Sequence, residues 1–476
     1  MTRNWFILLL FACILAACNE ERVSEDTSLR LAFSCDTLSF DTVFTAQGSS
    51  TAQLMVYNRN KSALMIDGVW LEQGEVFRVN VDGEPDLKRL THLQLNGGDS
   101  LFVFVRVEID PLSENTPVLV SDLLHFHLSS GVTQEVRLEA YGQNVRREGK
   151  RFVGDFTFSN TLPYLLMDTF VVNGKLTIEP GSTLYMHNNA CLYAQGDVEA
   201  LGTLDQPIVI RGDRLDRLFD SVPYLYAGGS WNGVYIVTDN TPHTYRLHYV
   251  DILSGNVGLY CASTCSGSLP QLTIDGCRIH NHALYGLVLL NVDALVTNTE
   301  ISNCASYCVY CSGGKHEFVH STVASYFGFT NIRIQSTGKE DAAAVYIDNL
   351  SKTAPHTTTS FYNSIITGYR SNQLVVATPF DNYYEGAFVG NYLKTDTLPL
   401  PHATSNVYWQ KTDTMPVFRK DFYKYKEYIY YDFRLDSLSP ALGIGDSLAA
   451  LPYPTDREGV TRALVKPDAG CYQHQP

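Results

Sequence analysis

The sequence predicts an all-β protein in which an N-terminal β-sandwich is followed by a right-handed parallel β-helix. Three observations support this fold class. Residues 29–147 alternate apolar and polar side chains in short runs, and a motif further along the chain recurs every 22 residues. Aromatic residues make up 12% of the chain, with 29 tyrosines, whereas charged residues make up only 18%, a composition typical of half-buried sheet surfaces.

Residues 1–17 have the layout of a secretory signal peptide. A single cation, Arg3, precedes an apolar run from Trp5 to Ala17, and this run is shorter than a transmembrane helix, which needs about 20 residues. The run ends in Leu15-Ala16-Ala17-Cys18, which resembles the bacterial lipobox. The resemblance implies cleavage before Cys18 and lipidation of that cysteine, so that acyl chains anchor the protein to a membrane.

Residues 18–28 comprise the acylated cysteine and a polar, acidic tether. The tether resembles, loosely, the acidic export tags of surface lipoproteins in Gram-negative bacteria. We therefore expect an outer-membrane lipoprotein that is either exposed on the cell surface or periplasmic. The formal net charge of −15 argues against nucleic acid as a partner, because a field of that sign repels phosphates.

The predicted sandwich, residues 29–147, consists of seven short strands separated by turn residues. The strand runs are residues 29–33, 53–58, 65–71, 77–81, 101–107, 123–128 and 136–142. Residues 57–58, 95–105 and 139–143 resemble the immunoglobulin-like domains that precede catalytic or repeat domains in many envelope proteins. This resemblance implies a spacer or interaction module without catalysis. His125 and His127 share one strand face, and we expect ordinary strand residues there because no third metal ligand is evident.

The repeat occupies residues 150–430 and is clearest between residues 279 and 329. Ile279–Leu287 aligns with Ile301–Val309 at a spacing of 22 residues, and a further 22 residues lead to Val323. Strand-turn-strand units of this period cannot bury their apolar faces alone, and they indicate a solenoid. The period favours a coil of three short strands and is too short for a β-propeller.

Two motifs resemble the pectate-lyase-like β-helix superfamily. Trp231-Asn232-Gly233-Val234 looks like the Trp-x-Gly-aliphatic turn of bacterial β-helix proteins. The end segment, residues 431–476, contains Ser439-Pro440-Ala441, then Asp456-x-x-Gly459-x-x-Arg462, then Pro467-Asp468-Ala469-Gly470-Cys471-Tyr472, with Cys471 where the usual pattern has alanine. The resemblance implies the fold and does not by itself imply an activity.

The residues that catalyse reactions in well-known β-helix enzymes are missing from the sequence. The polygalacturonase-like pattern would show Asn-Thr-Asp, Asp-Asp, Gly-His-Gly and Arg-Ile-Lys in order, and only Asn331-Ile332-Arg333-Ile334-Gln335 resembles its last part. Pectate-lyase and pectin-methylesterase motifs are also missing. We therefore predict no catalytic residue, no metal site and no cofactor, although a lyase of an unrecognised family would call for calcium.

The candidate binding residues lie in and near a loop that interrupts the repeat. Asp213, Arg214, Asp216 and Arg217 alternate in charge after residue 212, and Trp231 adds an aromatic ring further along. Loops on rigid scaffolds often bind ligands, so these side chains could contact a glycan. The alternative is a set of surface ion pairs worth under about 1 kcal/mol.

The cysteines of the repeat are predicted to be buried. Cys261 and Cys311 share a column with Leu289 when one longer coil is allowed, and a column that contains leucine faces the interior. Buried free thiols are therefore expected. One or two disulfides are the alternative, because an exported protein meets an oxidising compartment.

Histidines and tyrosines near the repeat are expected to be structural. His280, His282, His316 and His320 are expected at ordinary surface positions. The C-terminal tyrosines are either sugar platforms or a cap that packs over the last coil, and we favour the cap. They are Tyr383, Tyr384, Tyr423, Tyr425, Tyr428, Tyr430 and Tyr431.

Two functions from different classes are favoured over a third, adhesin-like assembly through the sandwich. The first is a lipid-anchored β-helix protein of the cell envelope that binds or displays glycans or other envelope partners without catalysis. The alternative is a polysaccharide lyase or glycoside hydrolase of an unrecognised β-helix family. A carboxylate pair, or an arginine–carboxylate–cation cluster, in the groove of the β-helix would favour the enzyme. A groove lined by Ser, Thr and Asn would favour binding.

Overall fold

A computed structural model describes residues 22–85, 87, 90, 92–219, 222–326, 343–349, 357–377, 384–395, 404–405, 407–410, 415–420 and 431–475. The chain divides into two compact units, Met1–Asn144 and Val145–Pro476. Within the described part of the chain, no helix is long and apolar enough to cross a membrane. Cys18 lies outside the described residues.

The first unit is a sandwich of two β-sheets. Its strands are β1 (Ala32–Phe33), β2 (Thr37–Phe44), β3 (Ala52–Tyr57), β4 (Leu64–Leu71), β5 (Phe77–Val81), β6 (Leu93–Leu95), β7 (Ser100–Val107), β8 (Val118–Leu128) and β9 (Thr133–Gln143). One sheet has the order β1-β3-β7-β5 and the other the order β2-β9-β8-β4-β6. The neighbours are antiparallel except β2 and β9, which run parallel.

Alternation along each strand places the apolar side chains between the two sheets. In β5, Phe77, Val79 and Val81 are buried, whereas Arg78 is exposed. Burial of such side chains contributes about 25 cal/mol per Å² of apolar surface, and the core contains residues from both sheets. Each of the seven runs predicted from the sequence contains a strand, so the predicted sandwich is confirmed.

The second unit is a right-handed parallel β-helix in which each coil contributes one strand to each of three long sheets, named A, B and C. Sheet A contains β10 (Arg146–Glu148), β13 (Tyr164–Leu166), β16 (Thr183–Met186), β19 (Ile208–Gly212), β24 (Val250–Leu253), β27 (Arg278–His282), β30 (Glu300–Cys304), β33 (Thr322–Ser325), β36 (Ile365–Gly368), β40 (Tyr392–Lys394) and β42 (Tyr408–Gln410). Sheet B contains β11 (Arg151–Val153), β14 (Thr169–Val172), β17 (Cys191–Ala194), β22 (Gly233–Thr238), β25 (Val257–Ser263), β28 (Tyr285–Leu290), β31 (Tyr307–Ser312), β34 (Val345–Asp348) and β37 (Leu374–Ala377). Sheet C contains β12 (Phe156–Phe158), β15 (Leu176–Ile178), β18 (Val198–Leu201), β23 (Thr244–His248), β26 (Gln271–Asp275), β29 (Asp293–Thr297), β32 (Lys315–Val319), β35 (Thr357–Tyr362), β38 (Tyr384–Glu385), β39 (Phe388–Val389) and β41 (Thr404–Ser405).

The remaining elements lie outside these sheets. β20 (Arg217–Phe219) and β21 (Val222–Pro223) pair in a loop between sheets A and B, and β43 (Phe418–Lys420) pairs with β44 (Asp432–Leu435). A short helix, α1 (Ser447–Ala450), begins after Asp446, whose side chain accepts a hydrogen bond from the backbone N–H of Ala449. The first strand of the β-helix starts at Arg146, within the segment that the sequence assigned to the sandwich.

The interior of the β-helix consists of columns of like side chains. In sheet A, Ile252, Ile279, Ile301, Val323 and Ile366 occupy equivalent positions on successive strands. All five are almost completely buried. The 22-residue repeat predicted from the sequence therefore corresponds to one coil, and the predicted solenoid is confirmed.

The turns between the sheets contain residues that can adopt a left-handed backbone conformation. Between sheets C and A, Gly276, Asn298 and His320 all have positive φ and are spaced by 22 residues. Near the ends of β27 and β30 in sheet A, before the chain turns into sheet B, Asn281 and Asn303 share the same feature. Glycine and asparagine adopt this conformation at low cost, which explains why asparagine recurs in the sequence repeat.

The expectation that four histidines lie at the surface is wrong. His282, His316 and His320 are fully buried, and His280 is only 9% exposed. The physical reason is that polar atoms inside the coil provide hydrogen-bond partners for the imidazole rings. His282 Nε2 lies 3.1 Å from the carbonyl oxygen of Ile252, and His316 Nδ1 lies 3.0 Å from the Thr359 hydroxyl.

Six cysteines of the repeat are buried as the sequence predicts, namely Cys261, Cys265, Cys277, Cys304, Cys308 and Cys311, whereas Cys191 is partly exposed. Cys261, Leu289 and Cys311 form one inward column across β25, β28 and β31, and both thiols are fully buried. The cysteines that the structure describes are all free thiols, so none of the alternative disulfides is formed.

The buried histidines predict a β-helix that loses stability in mild acid. Burial lowers the pKa of His282 to about 3 and that of His316 to about 4, whereas an unfolded histidine titrates near about 6.5. Below that pH the unfolded state binds protons that the folded state excludes. The free energy of unfolding should therefore fall as the pH decreases from about 6.5 towards 4, by up to about 1.4 kcal/mol per pH unit for each histidine.

Urea unfolding at a series of pH values measures this dependence. His316→Gln removes one titrating group but keeps a polar side chain beside Thr359, and it should reduce the slope between about pH 6.5 and 5. A free energy of unfolding that stays constant across this range in the unsubstituted protein would contradict the burial of these rings.

Candidate functional site

The three sheets of the β-helix present three different outer faces, because side chains alternate between inside and outside along each strand. The outer face of sheet C is charged. Residues 431–475, which we call the C-terminal segment, contact the outer face of sheet A between β24 and β36. The outer face of sheet B is aromatic and carries a column without charged residues.

Sheet C has the face of an ordinary solvated sheet. Thr177, Glu199 and Arg246 follow one another in an outward column, and Glu199 forms ion pairs with both Lys175 and Arg246. Exposed ion pairs of this kind are worth about 0–1 kcal/mol each. Sheets A and B differ from this charged and solvated outer face.

Sheet B carries a continuous apolar and aromatic column on its outer face. From β11 to β37 the column reads Phe152, Val171, Tyr193, Tyr235, Tyr260, Val288, Tyr310, Tyr346 and Val375. Tyr285 and Tyr307 pair with each other at the starts of β28 and β31. We call the seven tyrosines of this face the tyrosine strip. Nine strands at a spacing of about 4.8 Å make the column about 38 Å long.

The rings of the tyrosine strip contact one another across neighbouring strands. Tyr307 and Tyr346 stack with their centroids 4.7 Å apart, and the Tyr235 and Tyr260 centroids lie 5.6 Å apart. All seven rings are partly exposed, whereas Val288 between them is only 2% exposed. The rigid sheet and the ring contacts hold these side chains in place, so a ligand would restrict them little further.

Burial opposes ionisation of four phenols of the tyrosine strip. It raises the pKa of Tyr193, Tyr235 and Tyr260 above the ordinary value. The pKa of Tyr310 is also raised, first by burial and then by Asp348, whose carboxylate accepts a hydrogen bond from the Tyr310 hydroxyl at 3.1 Å. The strip therefore presents neutral rings and hydroxyl groups at physiological pH.

The outer face of sheet A is occupied by ionic and hydrogen-bonded contacts to the C-terminal segment. Its outward column contains Asp251, Arg278 and Glu300 on successive strands. Asp251 accepts hydrogen bonds from Arg278 at 2.7 Å and from Arg457 at 2.8 Å. The Tyr472 hydroxyl donates to Glu300 Oε2 at 2.6 Å, and burial, followed by Glu300, raises the pKa of Tyr472 so that it stays a donor.

The motif at the end of the chain shapes the contact with a corner of the coil. Asp456 Oδ1 accepts hydrogen bonds from the backbone N–H groups of Glu458 and Val460, each at 2.8 Å. Gly459 has φ of +79°, which glycine adopts without strain. Arg462 then donates to the side chain of Asn298 at 2.8 Å. The Asp-x-x-Gly-x-x-Arg pattern therefore forms a turn that holds the C-terminal segment on the β-helix.

A pocket of about 310 Å³ lies beside these contacts. Sheet A forms its floor, and the C-terminal segment and a short 3₁₀ turn, Tyr224–Tyr226, form its walls. The lining residues are Leu225, Tyr226, Leu253, Arg278, His280, Glu300, Tyr431, Asp432, Phe433, Arg434, Arg457, Glu458 and Tyr472. The tyrosine strip and this pocket are the two candidate sites.

The four charged residues predicted to bind a ligand lie in the loop between β19 and β22. Asp213 is 2.6 Å from Nδ1 of His187. Arg214 donates to Asp216 at 2.7 Å and lies over the ring of Tyr224, 4.3 Å from its centroid. Arg217 begins β20. Asp213, Arg214 and Asp216 therefore already have partners, His187 outside the loop for Asp213 and each other for Arg214 and Asp216.

Trp231 lies inside the coil, away from the surface of that loop. Its side chain is 1% exposed, and its indole N–H donates to the carbonyl of Leu253 at 2.9 Å. A Cβ on Gly233 would lie 2.6 Å from the carbonyl oxygen of Val257, so only glycine fits there. The Trp-x-Gly motif thus forms the turn into sheet B.

Several residues considered from the sequence fall outside the described residues. They are Asn331–Gln335, Tyr383, Tyr423, Tyr425, Tyr428 and Tyr430. Tyr431 stacks on Tyr326 at 5.4 Å between centroids, as expected for a residue that packs over the coil. Within the described ranges, no group of three or more His, Cys, Asp or Glu side chains is arranged to hold a metal ion.

The tyrosine strip was not identified from the sequence. The pair Tyr285 and Tyr307 was visible in the 22-residue alignment, but Tyr193 and Tyr235 are 42 residues apart because the loop after β19 lengthens that coil. Aligning strands rather than residue numbers would have placed these tyrosines in one column.

No family model and no curated protein matches the chain. Among solved structures, the chain is similar to PapD-like domain 7 of human CEP192, with 12% identity, coverage of 26% of this chain and 91% of that chain, and a TM-score of 0.18. It is also similar to the periplasmic chaperone SfaE (14% identity, 24% and 57% coverage, TM-score 0.17) and to a family 123 glycoside hydrolase from Clostridium perfringens (7% identity, 25% and 26% coverage, TM-score 0.18). These similarities cover too little of the chain to support a function. The fold assignment rests on the strand topology.

The contacts of Asp251 predict that Asp251→Asn loosens the C-terminal segment. The substitution removes the negative charge between Arg278 and Arg457, and the free energy of unfolding should fall by on the order of 2–4 kcal/mol. Glu199→Gln is the matched control, because Glu199 also pairs with two cations but on the solvated face of sheet C; it should cost under about 1 kcal/mol. Urea unfolding and limited proteolysis of the C-terminal segment measure both variants, and equal effects would count against a special role for Asp251.

Proposed function

We propose that the chain is a lipid-anchored protein of the cell envelope that binds an extended polysaccharide along the tyrosine strip without cleaving it. The observation that carries this proposal is the column on sheet B, which has no charged residue and in which tyrosines recur over about 24 Å, from Tyr193 to Tyr346. A surface of partly exposed rings on a rigid sheet is suited to a long ligand that makes the same contact many times.

The chemistry of the strip favours a saccharide. Sugar rings have apolar C–H faces that pack on aromatic rings, and their hydroxyl groups can hydrogen-bond to the phenolic oxygens. The net charge of −15 disfavours highly anionic polymers. A neutral or weakly charged polysaccharide is therefore the ligand class that we propose.

The N-terminal segment supports an envelope location. A lipobox-like sequence that ends at Cys18 and a polar tether up to residue 28 would hold the folded units close to a membrane surface. Outer membranes and cell surfaces are rich in glycans, so this location brings the tyrosine strip to its proposed ligand. Whether the protein faces outward or into the periplasm is part of the test below.

Cys18→Ala should release the protein from the membrane. The unsubstituted chain should fractionate with membranes and dissolve only in detergent, because the acyl chains are its proposed anchor. Membrane fractionation and mass spectrometry of the N-terminal peptide measure the change, and protease treatment of intact cells distinguishes surface from periplasmic exposure. Unaltered membrane association of the Cys18→Ala variant would contradict lipid anchoring at this residue.

Tyr193→Ala and Tyr260→Ala should each weaken polysaccharide binding about fivefold to tenfold, because each removes one stacking ring. Their effects should multiply in the double variant, since the two residues lie on strands separated by β22. Tyr260→Phe keeps the ring and should retain most of the affinity. Tyr141→Ala, at a 44% exposed tyrosine of the sandwich, is the matched control and should have no effect.

Affinity gel electrophoresis with a panel of polysaccharides measures binding, with and without calcium. The same mixtures should be assayed for reducing ends and for the absorbance of unsaturated sugars. Binding that survives the double tyrosine variant would contradict the tyrosine strip as the binding face. Turnover of any polymer would contradict the non-catalytic function and favour the alternative, a lyase or glycoside hydrolase.

A further inference from the structure

The pocket beneath the C-terminal segment has features that the docking of that segment does not require. Its volume of about 310 Å³ is at the lower end of the range for small-molecule sites, which is about 300–1,000 Å³. It lies on sheet A, whereas the tyrosine strip lies on sheet B. A ligand in the pocket therefore belongs to a second site that is independent of the proposed polysaccharide face.

A chain of hydrogen bonds orients His280 at the floor of this pocket. Glu300 Oε1 accepts a hydrogen bond from Ser302 Oγ at 2.7 Å, and Ser302 Oγ lies 2.7 Å from Nδ1 of His280. A hydroxyl group has a single hydrogen, so Ser302, which donates to Glu300, accepts the hydrogen on Nδ1. The Nε2 atom of His280 is then an acceptor.

His280 stays neutral under ordinary conditions. Burial, followed by the positive charge of Arg278, lowers the pKa of His280 to about 3. The lone pair of Nε2 is therefore available near neutral pH, and among the described residues no hydrogen bond to this atom is formed. His280 is 9% exposed and lines the pocket, so a ligand or water in the pocket can donate a hydrogen bond to this atom.

Arg278 provides donors beside this acceptor. Its guanidinium donates to Asp251 at 2.7 Å, and its side chain remains 37% exposed. Two carboxylates, Asp251 and Glu300, balance the charges of Arg278 and Arg457, so the floor has no net formal charge. The floor thus combines a neutral acceptor with a donor group.

The walls of the pocket are aromatic. The rings of Tyr226 and Phe433 lie edge-on to His280, with centroids 6.2 Å and 6.4 Å from the imidazole. At the rim, Arg434 donates to Glu458 at 2.9 Å, so the charges there are also paired. Two aromatic rings beside a polar floor of balanced charge match a compact molecule that has both C–H faces and hydroxyl groups.

We propose that this pocket binds a single neutral saccharide unit. One ligand hydroxyl donates to Nε2 of His280, and the exposed part of the Arg278 guanidinium donates to a neighbouring ligand oxygen. The rings of Tyr226 and Phe433 pack on the apolar parts of the sugar. The charge balance of the floor selects against acidic sugars, since a ligand carboxylate would meet Glu300 as well as Arg278.

Saturation-transfer NMR and titration calorimetry on the purified mature chain test this site. The probes are glucose, galactose, mannose and N-acetylglucosamine, with glucuronate and galacturonate as acidic counterparts. At least one neutral sugar should bind, and His280→Phe should weaken that binding at least about tenfold, because the ring contacts remain but the acceptor is lost. His248→Phe, the same substitution at the end of β23 in sheet C, should have no effect.

Tyr226→Ala is a second test of the pocket, which applies even if the His280→Phe variant does not fold. Tyr226 lies on the short turn outside the coil, so its loss should weaken sugar binding at least about threefold while the thermal unfolding midpoint stays unchanged. Three outcomes would overturn the proposal. The chain would bind none of the neutral sugars, or it would prefer the uronates. Alternatively, the His280→Phe and Tyr226→Ala variants would bind the neutral sugar as tightly as the unsubstituted chain. His280 and Tyr226 report on the pocket, whereas Tyr193 and Tyr260 report on polysaccharide binding to the tyrosine strip, so failure at the two sites is distinguishable.

Discussion

Backbone hydrogen bonds between successive coils fix the register of the β-helix, and the chemistry of every face depends on that register. In sheet A, the column of Ile252, Ile279 and Ile301 faces the interior because each strand pairs with its equivalent one coil later. A shift of one residue would exchange the inward and outward side chains of a strand. The apolar interior therefore holds the outward columns in place, and the tyrosine strip exists because sheet B keeps the same register over nine strands.

The same scaffold uses two outward columns in different ways. On sheet A, Asp251, Arg278 and Glu300 alternate in charge, and they are matched by Arg457 and Tyr472 of the C-terminal segment. That arrangement favours intramolecular docking, because opposite charges and hydrogen-bond partners are fixed opposite one another. On sheet B the rings remain partly exposed and uncharged. A ligand that approaches from solution therefore meets an ordered column of uncharged side chains there.

Much of the fold was predictable because apolar residues recur with the periods of the structure. The 22-residue spacing located the coil, and it placed Cys261, Leu289 and Cys311 in one inward column. Strand β2 was missed for a local reason: Asp41 has φ of 57°, and the pairing with β9 shifts in register between Ser39 and Thr42. This irregularity breaks the alternation by which strands are recognised. The candidate sites were harder to predict, because loops such as the one after β19 change the residue spacing between equivalent strands. The buried histidines were missed because their partners are polar atoms from other coils, which only the folded chain brings together.

Footprinting of tyrosine side chains tests the central claim most directly. Hydroxyl radicals oxidise exposed rings, and mass spectrometry of the mature chain with and without a bound polysaccharide reports which rings the ligand covers. The account predicts protection of Tyr193, Tyr235 and Tyr260 on sheet B, with Tyr141 of the sandwich oxidised equally in both states. Protection confined to other parts of the chain, with the tyrosines of sheet B oxidised as in the free protein, would contradict it.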